Sequence, residues 1–139
     1  IGGASENNCD HIYEFGKNIG IAFQVQDDYL DVYGDASVFG KEQGGDIKHN
    51  KKTFLLLHAL TVANVTQKKE LDQLLKNNDV HKVEKVTAIF NACGIKEWAE
   101  SLKQQYLEKA FFHLDAIAVL SSRKESLIEL ANYLMNRNQ

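Results

Sequence analysis

The sequence predicts an all-α fold. Apolar residues recur three and four apart along most of the chain, and no apolar–polar alternation is long enough to compete as a strand. With 139 residues, 44% of them hydrophobic, the chain can bury one core and does not comfortably make two, so a single helical domain over 1–139 is expected. Pro is absent, which removes collagen-like and Pro-rich linker readings, and no internal repeat is visible.

The elements follow in order. Ser5 is a candidate N-cap, with acidic Glu6 in the first turn. From there Ile12, Phe15, Ile19, Ala22, Phe23, Gln26 and Leu30 step at helical intervals to Tyr33, and Gly34 is a credible stop. Gly16 and Gly20 weaken that helix by roughly 1 kcal/mol each against Ala, for close packing or a bend. Residues 34–49, with Gly40, Gly44 and Gly45, are expected as a long and therefore functional loop. Asn50 is expected to cap a helix through Phe54, Leu57, His58 and Thr61. Leu71, Leu74 and Leu75 mark a short helix ending near Asn77, and Asp79 is expected to cap the next, through Val83, Val86, Ile89 and Phe90 to Gly94. The longest later pattern runs from Ile95 through Trp98, Leu102, Tyr106, Ala110 and His113 to Ile117. Ser122 and Glu125 have capping-box spacing for a last helix whose apolar face is Leu127, Leu130, Ala131 and Leu134.

Charge narrows the function. The net charge is −3, from 16 basic and 19 acidic residues, which argues against a general nucleic-acid binder. No apolar run approaches the ~18 residues that a transmembrane helix needs. Cys9 and Cys93 are too few for a disulfide framework and lack zinc spacing, so both are expected as free, buried thiols in a reducing, cytoplasmic compartment. The first 50 residues carry −6 and the rest +3. Residues 18–40 hold Asp27, Asp28, Asp31 and Asp35 with no Lys or Arg among them, so the neighbouring cations of an ordinary solvated helix are missing.

The strongest constellation is Gln24, Asp27, Asp28 and Asp31, three and four apart and hence on one helical face. Carboxylates so grouped repel, and hard divalent cations relieve the conflict; Mg²⁺ suits when substrate phosphates complete its shell. The alternative is an acidic face in water. Lys51 and Lys52 are expected in the first turn of a helix, where the dipole disfavours cations unless a phosphate binds there. Lys41, in the glycine-rich loop, is placed to close over the same anion, or else all three lysines are simply solvated. The P-loop and EF-hand patterns are absent. The five histidines show no metal-protease spacing; His113 and Trp98 are expected in the core. Tyr29, Tyr33, Phe54 and Phe90 are expected as core, with an apolar channel as the alternative.

The stretch Phe-Gln-Val-Gln-Asp-Asp-Tyr-Leu-Asp-Val-Tyr-Gly-Asp, followed by Gly40-Lys41, Gly-Gly-Asp-Ile at 44–47 and Asn-Lys-Lys-Thr at 50–53, resembles the trans-isoprenyl diphosphate synthases. The resemblance implies an all-α bundle around a central cavity and prenyl chain elongation. An allylic diphosphate is ionised, isopentenyl diphosphate adds, and a proton is lost. It implies Mg²⁺ as cofactor, with Asp27 binding metal directly and Asp28 and Asp31 doing so directly or through water. It places Lys41 and Lys51 on the allylic diphosphate, with Lys52 adjacent. Gln24 is expected beside the reacting groups and, with Phe23, along the prenyl groove. The Asp box corresponds to the family's second aspartate-rich motif; the first motif is absent from this sequence. The chain is therefore expected to be the C-terminal half of a longer synthase, inactive alone and prone to self-association or homodimer formation. A non-catalytic helical subunit and a related terpene cyclase are the competing readings.

Overall fold

A computed structural model describes residues 5–39, 42–119 and 121–137. Eight α-helices are described: α1 (Glu6–Tyr33), α2 (Ala36–Phe39), α3 (Gly45–Lys48), α4 (Phe54–Val62), α5 (Val65–Lys76), α6 (Lys82–Ala92), α7 (Ile95–Asp115) and α8 (Glu125–Asn136), with a 3₁₀ turn at Ser121–Arg123. The described residues contain no strand, so the all-α expectation holds. Their contacts group into two compact units, the described residues up to Gln26 with Ser101–Arg137, and Asp27–Glu100.

The first unit is built from apolar faces. Phe15 and Ile19 of α1, Ala110 and Leu114 of α7, Ala131 of α8, and Ile117 just after α7 form a buried cluster, flanked by Leu107, Phe111, Leu127 and Leu134. Burial of one such large side chain contributes about 1.5–3 kcal/mol, which is why the three-and-four spacing selects a helix here. Ser5 caps α1 as expected, its Oγ accepting from the Asn8 amide at 3.2 Å. Among the described residues nothing packs closely on the α1 glycines, since a β-carbon at Gly16 or Gly20 would meet no atom within 4 Å. Leu130, expected on the buried face of α8, is exposed. Ser122 falls in the 3₁₀ turn and α8 starts from Lys124 with no side-chain cap, so the Ser122–Glu125 capping box does not form. His113 is only half-buried, its Nδ1 3.0 Å from Nδ1 of His11, and Cys9, expected to be buried, is exposed.

In the second unit α6 packs against α3, α4 and α5. Leu55, Leu71, Val86, Phe90 and Ile95 are almost wholly buried. Phe90 is thus core as expected. Tyr29 and Tyr33 instead meet with their rings tilted at 43° and centroids 5.1 Å apart, and donate their hydroxyls to Glu100 (2.9 Å) and Asn91 (3.1 Å). Trp98 lies half-buried and stacks on His58, ring centroids 3.7 Å apart. The expected long loop over 34–49 instead contains the short helices α2 and α3. Gly44 has φ 79°, and a β-carbon there would collide with the Val83 side chain, so conformation and space both require glycine.

Two helix starts differ from expectation. α4 is capped by Thr53, whose Oγ1 accepts from Leu56 N at 3.1 Å, and not by Asn50. α6 begins after His81, while Asp79 forms a turn just before it, accepting from His81 N at 2.7 Å. A cap unnoticed in the sequence opens α5, where Asn64 and Gln67 form a reciprocal capping box.

Candidate functional site

The last turns of α1 act as a template for the segment 43–54. Gly44 N donates to the Asp31 carbonyl at 2.7 Å, and Gln43 Nε2 to the Val32 carbonyl at 2.7 Å. Asp31 Oδ2 accepts from Asp46 N at 3.0 Å, in the first turn of α3. Asp28 Oδ2 accepts from Phe54 N at 3.0 Å, the first residue of α4. Two carboxylates of the Asp box therefore sit at helix starts, where unsatisfied amides and the dipole favour negative charge.

This splits the face that the sequence groups together. Asp28 is buried at 2% exposure, Asp27 and Asp31 are half-buried, and Gln24 is exposed. Asp31 is held above the ordinary carboxylate range, first by burial and then by repulsion from Asp46 and Asp27, against the opposing Asp46 amide and Lys51. Phe23, in the first unit, lies under the Arg137 guanidinium at 4.8 Å.

Lys51 and Lys52 do not lie in a helical first turn; both precede α4 in non-helical backbone. The dipole argument for a phosphate at that helix start weakens accordingly, since the Phe54 and Leu56 amides are taken by Asp28 and Thr53. Lys51 Nζ stands 3.7 Å from Asp28 Oδ1 and 3.6 Å from Asp46 Oδ2. Burial pulls its ammonium down, but the carboxylates of Asp46, Asp28 and Asp27 outweigh this and hold it above the ordinary lysine value. The cation missing from residues 18–40 is thus supplied by Lys51, from beyond that stretch. Its side chain stays half-exposed, so the charge is open to a ligand. Lys52 is exposed, and Lys41 lies outside the described residues.

The sequence points to Asp46 only as part of the motif stretch and to Asn50 only as a cap, and to neither as a site residue. Their signal was the spacing itself: an Asp fifteen residues after Asp31 and an Asn immediately before the lysine pair.

Among the described residues, no three His, Cys, Asp or Glu side chains form a group that could hold a metal ion. Asp27 and Asp31, one turn apart and repelling, instead suit a hard divalent cation that takes one or two carboxylates and completes its shell with phosphate and water. The residues fit Mg²⁺ bound together with a phosphate ligand; they do not fit a resident ion in an all-protein cage.

The chain belongs to the polyprenyl synthetase family, whose profile matches residues 1–93. It is 31% identical over 137 residues to the short chain isoprenyl diphosphate synthase of Methanothermobacter thermautotrophicus, covering 99% of this chain and 42% of that protein. It is 30% identical over 140 residues to the octaprenyl diphosphate synthase of Escherichia coli, covering 100% of this chain and 43% of that protein. A solved geranylgeranyl pyrophosphate synthase from Corynebacterium glutamicum, complexed with isoprenyl diphosphate and magnesium, superposes with a TM-score of 0.82 at 30% identity, over 96% of this chain and 38% of that one. The chain thus spans about two fifths of the length of these relatives. No described helix is long and apolar enough to cross a membrane.

Proposed function

We propose that this chain carries one wall of a prenyltransferase site, which grips Mg²⁺ and the diphosphate of an allylic substrate for elongation with isopentenyl diphosphate in the longer protein. The carrying observation is the placement of Lys51 between Asp28 and Asp46, beside the half-buried Asp27 and Asp31. The Corynebacterium glutamicum relative, with isoprenyl diphosphate and magnesium, supports the ligand class.

Asp27 and Asp31 would hold Mg²⁺, with Asp28 anchoring the end of the lysine segment and contributing through metal-bound water. The chemistry a bound Mg²⁺ would supply is positive charge against the departing diphosphate. Lys51 binds a phosphate oxygen directly, its two long ion pairs giving way to a shorter charge-assisted contact. Lys41 and Lys52 add charge to the same anion. By the family resemblance Gln24 and Phe23 would stand beside the prenyl chain of the substrate, whose apolar surroundings keep water from the allylic cation. The remaining substrate contacts belong to the rest of the family's length, so the 139-residue chain alone is inactive. Relatives that make short-chain and octaprenyl products leave the product length open, and a family-derived non-catalytic subunit would show the same fold without binding diphosphate.

Titration calorimetry of the chain with inorganic pyrophosphate tests this. Binding is expected with Mg²⁺ present, weakened about tenfold or more by Lys51→Ala, in line with the loss of one charge-assisted contact. Equal affinity with and without Mg²⁺, or no effect of Lys51→Ala, refutes the assignment.

A further inference from the structure

The segment that carries Lys51 is held from a second side, at the start of α6. Lys82, the first residue of that helix, is 6% exposed. Buried ammonium groups ordinarily pair with carboxylates. The partner that Lys82 Nζ reaches is instead the side-chain amide oxygen of Asn50. Such a pairing does little for stability compared with an apolar residue of the same length, so its use lies in what it does to Asn50.

Asn50 has φ 53°, in the left-handed region that Asn tolerates better than most residues. Both ends of its amide are engaged. Nδ2 donates to the Leu75 carbonyl of α5 at 3.0 Å, and Oδ1 accepts from Lys82. Its backbone N–H donates to the Ile47 carbonyl at 3.1 Å, and the next one, of Lys51, to the Asp46 carbonyl at 2.9 Å. The left-handed residue thus turns the chain back, and the following side chain arrives at Asp28 and Asp46. The neighbour of Lys82 serves the other end of the same turn, because Val83 fills the space beside Gly44. One turn of α6 therefore touches both ends of the segment that delivers Lys51.

We propose that Lys82 is a positioning residue for the anion site: through the Asn50 amide it fixes the left-handed turn that aims Lys51 at the diphosphate. The role rests on the reading of Lys51 as a diphosphate ligand. Lys82 itself touches no substrate. A neutral side chain of similar length would fill its space, leave Asn50 Oδ1 unpaired and free the amide to rotate, so the turn would sample other conformations.

The test compares Lys82→Met, Lys82→Arg, Lys51→Ala and the Lys51→Ala/Lys82→Met double variant of the full 139-residue chain. Amide hydrogen exchange at Asn50 and Lys51 reads the turn, and calorimetry with inorganic pyrophosphate and Mg²⁺ reads the site. Lys82→Met is expected to speed exchange at Asn50 and Lys51 about tenfold while α8 amides keep their rates, as a local opening does. It is expected to weaken pyrophosphate binding about fivefold, to add nothing further in the Lys51→Ala background, and to be restored by Lys82→Arg. Unchanged exchange at Asn50 and Lys51 overturns the proposal. So does an equal loss of pyrophosphate affinity whether or not Lys51 is present, the mark of a merely structural defect. If the unaltered chain binds no pyrophosphate, the anion-site reading fails, and exchange alone then upholds or overturns the Lys82 clamp.

Discussion

Asp28 holds two positions at once. Its carboxylate is almost wholly buried, yet one oxygen accepts the Phe54 amide and the other faces the Lys51 ammonium. Removing it leaves a buried donor unsatisfied and a cation with one fewer partner. Asp28→Ala is therefore expected to destabilise the chain by about 1–3 kcal/mol in urea unfolding, in addition to any effect on ligand binding. Asp27→Ala is expected to abolish the Mg²⁺ dependence of pyrophosphate binding, read by calorimetry with and without the cation. His58 makes a prediction of a different kind. Burial against Trp98 holds its imidazole below the ordinary value of about 6.5. The unfolded chain then binds the extra proton more readily, so this contribution is complete above about pH 6.5 and is lost as pH falls through the lower folded value. His58→Phe keeps a ring on Trp98 and removes the titration. The wild-type minus variant stability should fall on going from pH 7 to pH 5, and a difference independent of pH would contradict the assignment.

At the scale of the element, the helices were legible and their starts were less so. The Ser5 cap and Gly34 stop of α1 could be read because cap residue, acidic first turn and apolar spacing agree there. Asn50 and Thr53 are both good cap residues three apart, and the sequence does not rank them. The choice is made by Asp28, twenty-six positions upstream, which draws in the Phe54 amide, and by Lys82 and Leu75, which engage the Asn50 side chain. The Ser122–Glu125 pair has the right spacing but falls on a 3₁₀ turn, whose geometry differs from that of a helical start. The acid box was legible as a pattern; the division of labour within it was not, because it depends on which amides of α3 and α4 arrive beside it. Two expected outcomes follow. Thr53→Ala should cost about 1 kcal/mol through loss of the α4 cap, measured by chemical denaturation. Gly44→Ala should cost more than the ~1 kcal/mol of an ordinary glycine replacement, since it adds a collision with Val83 to an unfavourable φ, and a neutral result would mean that the loop can move away.

For the whole molecule, the account is that of a partial site on a family fold. The chain spans 42% of one synthase relative and 43% of another, so no prenyl product is expected from the chain alone with isopentenyl and allylic diphosphates. Ile12, Tyr13, Phe112 and Tyr133 stand exposed on helices of the first unit, and apolar residues so placed favour association. Light scattering should therefore report a mass that rises with concentration, and a monomer throughout would contradict this. The central claim is that Asp27 and Asp31 exist to hold a cation which in turn holds diphosphate. It is tested most directly by diffraction from crystals of the chain grown with Mn²⁺, as an anomalously scattering substitute for Mg²⁺, and a bisphosphonate. The account predicts an anomalous peak bonded to oxygens of Asp27 and Asp31, with phosphonate oxygens completing the shell and Lys51 Nζ in contact with one of them; bisphosphonate bound elsewhere, or an anomalous peak away from both carboxylates, would contradict it.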